Sequence, residues 1–216
     1  VVEGGVILDV IDGRPAPGAD HIMLDDGILS PGLIDVQING CFGVDFVQAS
    51  DDEWETVCRA LPGFGVTAFQ PTFVTNPIDA MVAGLRRFAA VRPRLEAAGG
   101  AHAVGVHIEG PFISPERRGV HDVAYMVAPT PENLDALLDD ATVREQITML
   151  TLAPELPGAL EAIRRLSAAG IIVSVGHSDA LGAQVHDAVV AGARMVTHIF
   201  NAQRGFGHRE PGVSGQ

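Results

Sequence analysis

The sequence predicts an α/β fold, a (β/α)8 barrel of which about six βα units are present. Three observations predict it. Six apolar, β-branched runs recur along the chain, at 33–39, 66–73, 103–112, 146–153, 171–177 and 195–202. Helix-like segments lie between them, at 51–62, 77–98, 131–140, 157–169 and 179–191, so each strand returns through a crossover and its neighbour runs parallel. Polar residues able to do chemistry sit at the ends of the runs: Gln37 and Asn39, Gln70, Glu109, Glu155, His177, His198 and Asn201. A doubly wound open sheet would spread those ends along an edge and use only its switch point. A barrel gathers them at one mouth, and the barrel is the architecture expected.

Residues 1–30 differ in texture. Short apolar stretches at 5–10 and 21–24 are broken by Asp12-Gly13, Pro15, Pro17 and Asp26-Gly27, which reads as short strands joined by turns. The expected organisation is therefore 1–30 as part of a small β domain of sandwich type and 31–216 as an incomplete barrel. Val1-Val2-Glu3 enters a strand-like run at once, and no closing pattern precedes Gln216, so further sequence is expected on both sides. Helix starts are signalled at Ser50-Asp51-Asp52-Glu53, Thr130-Pro131-Glu132 and Ser178-Asp179, and helix ends at Gly170 and Gly192.

Composition narrows the function. Hydrophobic residues make up 47% of the 216 and aromatics only 5%, which suits helices packed on buried strands. A net charge of −13 repels nucleic acid and acidic membrane surfaces, so neither is expected as a partner. An anionic substrate would need a local cationic clamp. Cys41 and Cys58 are the only cysteines and have no framework spacing, which points to a reducing, cytoplasmic setting. No apolar run reaches the roughly 18 residues of a membrane span.

The strongest constellation is Glu109, His177 and His198. In extended strands, 173, 175 and 177 share a face, as do 196 and 198, and 107 and 109. One carboxylate and two imidazoles from three strands match an open catalytic metal site. The same residues also read as a capping Glu and two hydrogen-bonded core histidines, and spacing alone leaves both readings open.

Five segments carry a family resemblance. Residues 31–40 (PGLIDVQING) resemble the first-strand motif of amidohydrolases. His107-Ile108-Glu109-Gly110-Pro111-Phe112, 175–180 (VGHSDA), 197–202 (THIFNA) and 208–212 (HREPG) are similar to motifs of the N-acetylglucosamine-6-phosphate deacetylases, in the same order.

The resemblance implies a TIM-like barrel of the amidohydrolase type. It also implies one divalent metal held by Glu109, His177 and His198, zinc first, with Fe²⁺, Co²⁺ or Mn²⁺ compatible. The superfamily's usual His-x-His is replaced by Gln37 and Asn39, neutral amides that ligate poorly, so a mononuclear site is expected with these two hydrogen bonding across the mouth. By the same resemblance Val120 and His121 approach the substrate, with His121 donating to the amide carbonyl. Asn201 and Ala202 contact the sugar phosphate, and Arg209 forks onto it. Without the resemblance, His121 is a solvated loop histidine and Arg209-Glu210 a surface ion pair. His107 lies one residue pair deeper than Glu109, which suits hydrogen-bonding support rather than ligation. Cys41 has no base suggested beside it, and His21, His102 and His186 are assigned nothing.

The implied reaction is hydrolysis of N-acetylglucosamine 6-phosphate to glucosamine 6-phosphate and acetate. The family's acid/base Asp and a second substrate-binding His are expected beyond Gln216, and a homodimer is expected from family habit. Two alternatives stand beside it. One is another amidohydrolase, acting on a different N-acyl sugar or a cyclic amide. The other is a catalytically incomplete barrel serving as a binding module.

Overall fold

The computed structural model describes every residue except 5, 12–17, 19, 21 and 25. The turn signals at Asp12-Gly13, Pro15 and Pro17, and His21, therefore lie outside the described residues. Contacts divide the chain into Val1–Pro31 and Gly32–Gln216. In the first unit, β1 (Val2–Glu3) pairs antiparallel with β2 (Val6–Ile7).

The second unit is built on β3 (Leu33–Ile38), β4 (Val66–Val74), β5 (His102–Ala103), β6 (Val106–Glu109), β7 (Ile147–Leu152), β8 (Ile172–Val175) and β9 (Met195–Val196). The strands run in the order β3-β4-β6-β7-β8-β9, and every neighbouring pair is parallel. Among the described residues, spatial order in this sheet follows chain order with no reversal and so no switch point. The sheet curls as part of a barrel. The run at 103–112 is interrupted: β5 pairs with the lower part of β4, and β6 begins after Gly105. Gly105 has φ +142°, and a Cβ there would meet Thr148 Cγ2 at 2.2 Å, so only glycine lets the strand step across to its neighbour.

The crossovers are α1 (Asp51–Ala60), α2 (Ile78–Ala98), α3 (Pro131–Leu138), α4 (Ala141–Arg144), α5 (Ala159–Ala168) and α6 (Gly182–Ala191). The capping box read at Ser50 forms, with Glu53 accepting from the Ser50 N–H at 2.8 Å. The segment expected at 131–140 divides into α3 and α4, because Asp140 turns its side chain back to cap Thr142. The start expected at Ser178-Asp179 is corrected to Gly182. Ser178 gives its hydroxyl to Glu155, and Asp179 gives its carboxylate to Arg117 and Arg204, so neither caps a helix.

A second correction concerns the strand ends. The run at 195–202 is a strand only at Met195–Val196, and that at 171–177 only at Ile172–Val175. His177 (φ 47°) and His198 (φ 30°) lie past those strands in left-handed backbone. Strand alternation does not aim their rings; the turn at each strand end does.

Beneath the sheet, α1 packs on α2 through Trp54, which stacks on Phe46 (4.8 Å between centroids, 17° between planes) and tilts against Phe88 (5.2 Å). All three are buried. Trp54→Ala should therefore cost about 3–5 kcal/mol in urea unfolding. A loss below about 1 kcal/mol would mean that this aromatic cluster does not hold the helices to the sheet.

Candidate active site

Glu109 closes β6 with only 2% of its surface exposed. Both carboxylate oxygens are taken by residues at the end of β3: Gln37 Nε2 donates to Oε1 at 2.7 Å, and Asn39 Nδ2, just past the strand, donates to Oε2 at 2.6 Å. Two neutral amides thus fix the plane of one buried anion.

The two imidazoles arrive from the turns that follow β8 and β9. His177 Nδ1 lies 2.8 Å from the Arg117 carbonyl, and His198 Nδ1 lies 3.2 Å from the Asn201 carbonyl. A carbonyl can only accept, so each Nδ1 carries the proton and each Nε2 presents a lone pair. Those two Nε2 atoms are 3.0 Å apart, and they lie 3.3 Å and 3.2 Å from Glu109 Oε1. Facing lone pairs at that distance repel unless a proton or a cation sits among them. A carboxylate and two bare imidazole nitrogens are donors suited to a divalent ion.

His121 joins them from the loop after a short 3₁₀ turn (Pro115–Arg117). Its ring meets His177 edge-on at 4.3 Å, and its Nε2 is 3.9 Å from Glu109 Oε2. Ligand atoms of Glu109, His121 and His177 all lie within 4.8 Å of one another. With 4% exposure, His121 is no solvated loop residue. Its Nδ1 sits 2.8 Å from Thr75 Oγ1 and 3.4 Å from the Thr75 nitrogen.

His107 is fully buried below the site. Its Nε2 is 2.7 Å from Thr151 Oγ1, which meets Thr197 Oγ1 at 2.6 Å, and that in turn meets Ser174 Oγ at 2.7 Å. The ring therefore hydrogen bonds within the barrel interior. Above the site, Gly119, Val120, Asn201 and Ala202 help line a cavity of about 310 Å³. Arg209 and His208 are exposed and do not line it.

The electrostatics follow from this geometry. Burial pushes the Glu109 carboxyl upward, but hydrogen bonds that His177 and His198 donate when their rings carry a second proton, with the neighbouring imidazoles of His121 and His107, reverse the effect and hold it well below the usual carboxylate range. Burial depresses His107 to about 4 against the opposing pull of Glu109. Burial, with His177 beside it, likewise depresses His121 to about 4. His198 moves upward because its protonated ring can donate from Nε2 to Glu109.

Sequence reasoning missed Thr75, Arg117, Asp179 and Arg204. Arg117 and Asp179 are separated by 62 positions, and no local spacing joins them. Gly119 was the one available signal: it has φ +57°, and a Cβ there would press on His177 Cε1 at 3.3 Å.

The profile of the amidohydrolase family matches residues 28–211. The chain belongs to that family. The family is metal-dependent, and this amidohydrolase carries a group of side chains able to hold an ion. It is 44% identical over 195 residues to the N-acetylglucosamine-6-phosphate deacetylase of Bos taurus, covering 87% of this chain and 46% of that protein. To the Vibrio furnissii protein of the same name it is 39% identical over 217 residues, covering 100% of this chain and 53% of that protein. Among solved structures, a variant of the Mycobacterium smegmatis N-acetyl-D-glucosamine-6-phosphate deacetylase, in complex with N-acetyl-D-glucosamine-6-phosphate, superposes with a TM-score of 0.76 at 35% identity. That match covers 85% of this chain and 46% of the other. The amidohydrolase chain thus spans about half the length of the curated relatives it matches. Among its described residues, no helix is long and apolar enough to cross a membrane.

His107 is neutral in the fold but binds a proton when unfolded below about pH 6.5. A depressed imidazole pKa means that stability is full above the unfolded value and is lost as pH falls toward about 4. Urea unfolding of the metal-chelated protein should show stability rising between about pH 4 and 6.5, with a flatter slope in His107→Gln. An identical slope in the variant would contradict the assignment of a neutral buried ring.

Proposed function

We propose that this chain supplies the metal-binding part of an enzyme that hydrolyses N-acetylglucosamine 6-phosphate to glucosamine 6-phosphate and acetate. The observation that carries this reading is the convergence of the His177 and His198 Nε2 atoms on a carboxylate clamped by Gln37 and Asn39. The substrate comes from the similar deacetylases.

Glu109, His177 and His198 are the proposed ligands, because both imidazoles have Nδ1 committed to carbonyls and Nε2 facing the carboxylate. One ion per chain is expected, since Gln37 and Asn39 are amides that donate to Glu109 rather than ligands of a second ion. Zinc is the first choice, and Fe²⁺, Co²⁺ or Mn²⁺ suit the same donors. When bound, the ion supplies an activated water and polarises the amide oxygen. With Nδ1 accepting from the Thr75 N–H, His121 keeps its proton on Nε2 and donates it toward the carbonyl oxygen as negative charge develops there. Val120, Asn201 and Ala202 line the cavity and would contact the sugar, and Arg209 would meet the phosphate.

Gln37 and Asn39 hold the Glu109 carboxylate in place, and His107 supports the barrel interior below it. Residues 1–30 are read as part of a small β domain, supported by the β1–β2 pair. A cytoplasmic homodimer with no nucleic acid or membrane partner completes the proposal, supported by the family resemblance, the −13 charge and the two free thiols. A second reading is an unphosphorylated N-acyl sugar as substrate. It is favoured by the position of Arg209 outside the cavity lining.

In the natural polypeptide, metal analysis should find close to one ion per chain. Glu109→Gln and His198→Ala should each lose the ion and cut acetate release by about 100-fold or more. Full occupancy and activity in either variant would overturn the ligand set. Faster acetate release from the unphosphorylated sugar would favour the second reading.

A further inference from the structure

His177 has φ 47°, a left-handed conformation that a residue with a Cβ keeps only when its surroundings hold it there. Two contacts do so directly. The Ser114 N–H donates to the His177 carbonyl at 2.9 Å, and His177 Nδ1–H donates to the Arg117 carbonyl at 2.8 Å. That second acceptor belongs to a three-residue 3₁₀ turn, too short to be stable by itself. The Arg117 side chain is what anchors it. Its Nε and Nη2 reach Asp179 Oδ1 at 2.7 Å and 2.6 Å.

Asp179 is held from the opposite side as well. Arg204 Nη2 meets Asp179 Oδ2, and Arg204 Nε donates to the Asp179 carbonyl at 2.7 Å. The Asp179 N–H donates to Glu155 Oε1 at 2.5 Å, and the Ser178 N–H donates to the Ala202 carbonyl at 3.2 Å. One carboxylate therefore ties together three segments. One leads to His121, one follows His177, and one follows Asn201-Ala202.

We propose that Asp179, gripping Arg117 and Arg204, is a positioning residue that keeps the Arg117 carbonyl on His177 Nδ1 and so holds the His177 Nε2 lone pair toward Glu109. The inference rests on the metal-site reading given under Proposed function. The Asp179 carboxylate is 24% exposed and its partners 35% and 34%, so the pairs are partly shielded from water and geometrically specific. Without it, two guanidiniums are left side by side with no anion between them and move apart. Arg117 then carries its carbonyl away from His177. An imidazole without its Nδ1 acceptor no longer has a fixed tautomer.

The test compares Asp179→Ala and Asp179→Asn with the natural polypeptide, using zinc affinity by chelator competition and ¹⁵N NMR of the His177 ring at a pH where imidazoles are neutral. Asp179→Ala should weaken zinc binding by about 10–100-fold and turn the single Nδ1–H tautomer into a mixture. Asp179→Asn, which keeps an acceptor oxygen without the charge, should fall between. Unchanged zinc affinity with an unchanged tautomer in a folded Asp179→Ala would overturn the proposal. Should that variant fail to fold, Arg117→Met is expected to show the same two changes, and its behaving as wild type would overturn the proposal equally. The tautomer is read without metal, so failure of the natural protein to take up zinc would count against the functional reading alone.

Discussion

The structure at the mouth depends on one buried carboxylate. Ionised Glu109 with 2% exposure would be untenable alone, since removing a charge from water costs several kcal/mol that only close partners repay. Two side chains at the end of the first barrel strand do this, the Gln37 and Asn39 amides, each donating to one carboxylate oxygen. The amides can only donate from nitrogen, so they stabilise the anion without competing for a cation. The imidazoles have their protons drawn to the outer nitrogen by backbone carbonyls, which leaves their inner lone pairs crowded against the carboxylate. The proposed divalent ion would relieve that crowding, and neutral amides at 37 and 39 suit a site for one ion.

Barrel topology makes this affordable in sequence terms. Glu109 lies about 70 positions from each amide and 89 from His198, yet parallel strands in sequential order bring all these ends to one rim. Below the rim, a file of hydroxyls from β7, β8 and the residue after β9 receives His107, so a polar ring is accommodated in an apolar interior with its nitrogens partnered. Above it, the loops carrying His121, His177 and Asn201 are bound to one another through Asp179.

Much of this was legible in the sequence, for identifiable reasons. Six apolar runs separated by helices give parallel strands, and polar residues at their ends give a common mouth. Alternation correctly separates Glu109 from apolar neighbours on β6. It fails for His177 and His198, because the strands stop two residues earlier and left-handed turns take over. Neither turn contains the glycine that would have marked it at the histidine itself. The helix start at Ser178-Asp179 misled for a related reason: side chains typical of a cap were committed to Glu155, Arg117 and Arg204 instead. Ion pairs spanning tens of positions leave no local pattern, so Arg117, Asp179 and Arg204 became visible only in three dimensions. Arg209 was assigned to the substrate by resemblance, and it stands exposed outside the cavity lining.

The central claim is most directly tested by anomalous diffraction from crystals of the natural polypeptide grown with zinc. The account predicts a single anomalous peak at about 2.0–2.2 Å from a Glu109 oxygen and from the Nε2 atoms of His177 and His198, with Gln37 and Asn39 still hydrogen bonded to the carboxylate. Two peaks bridged by Glu109, or one peak that engages His121 and leaves His198 free, would contradict it.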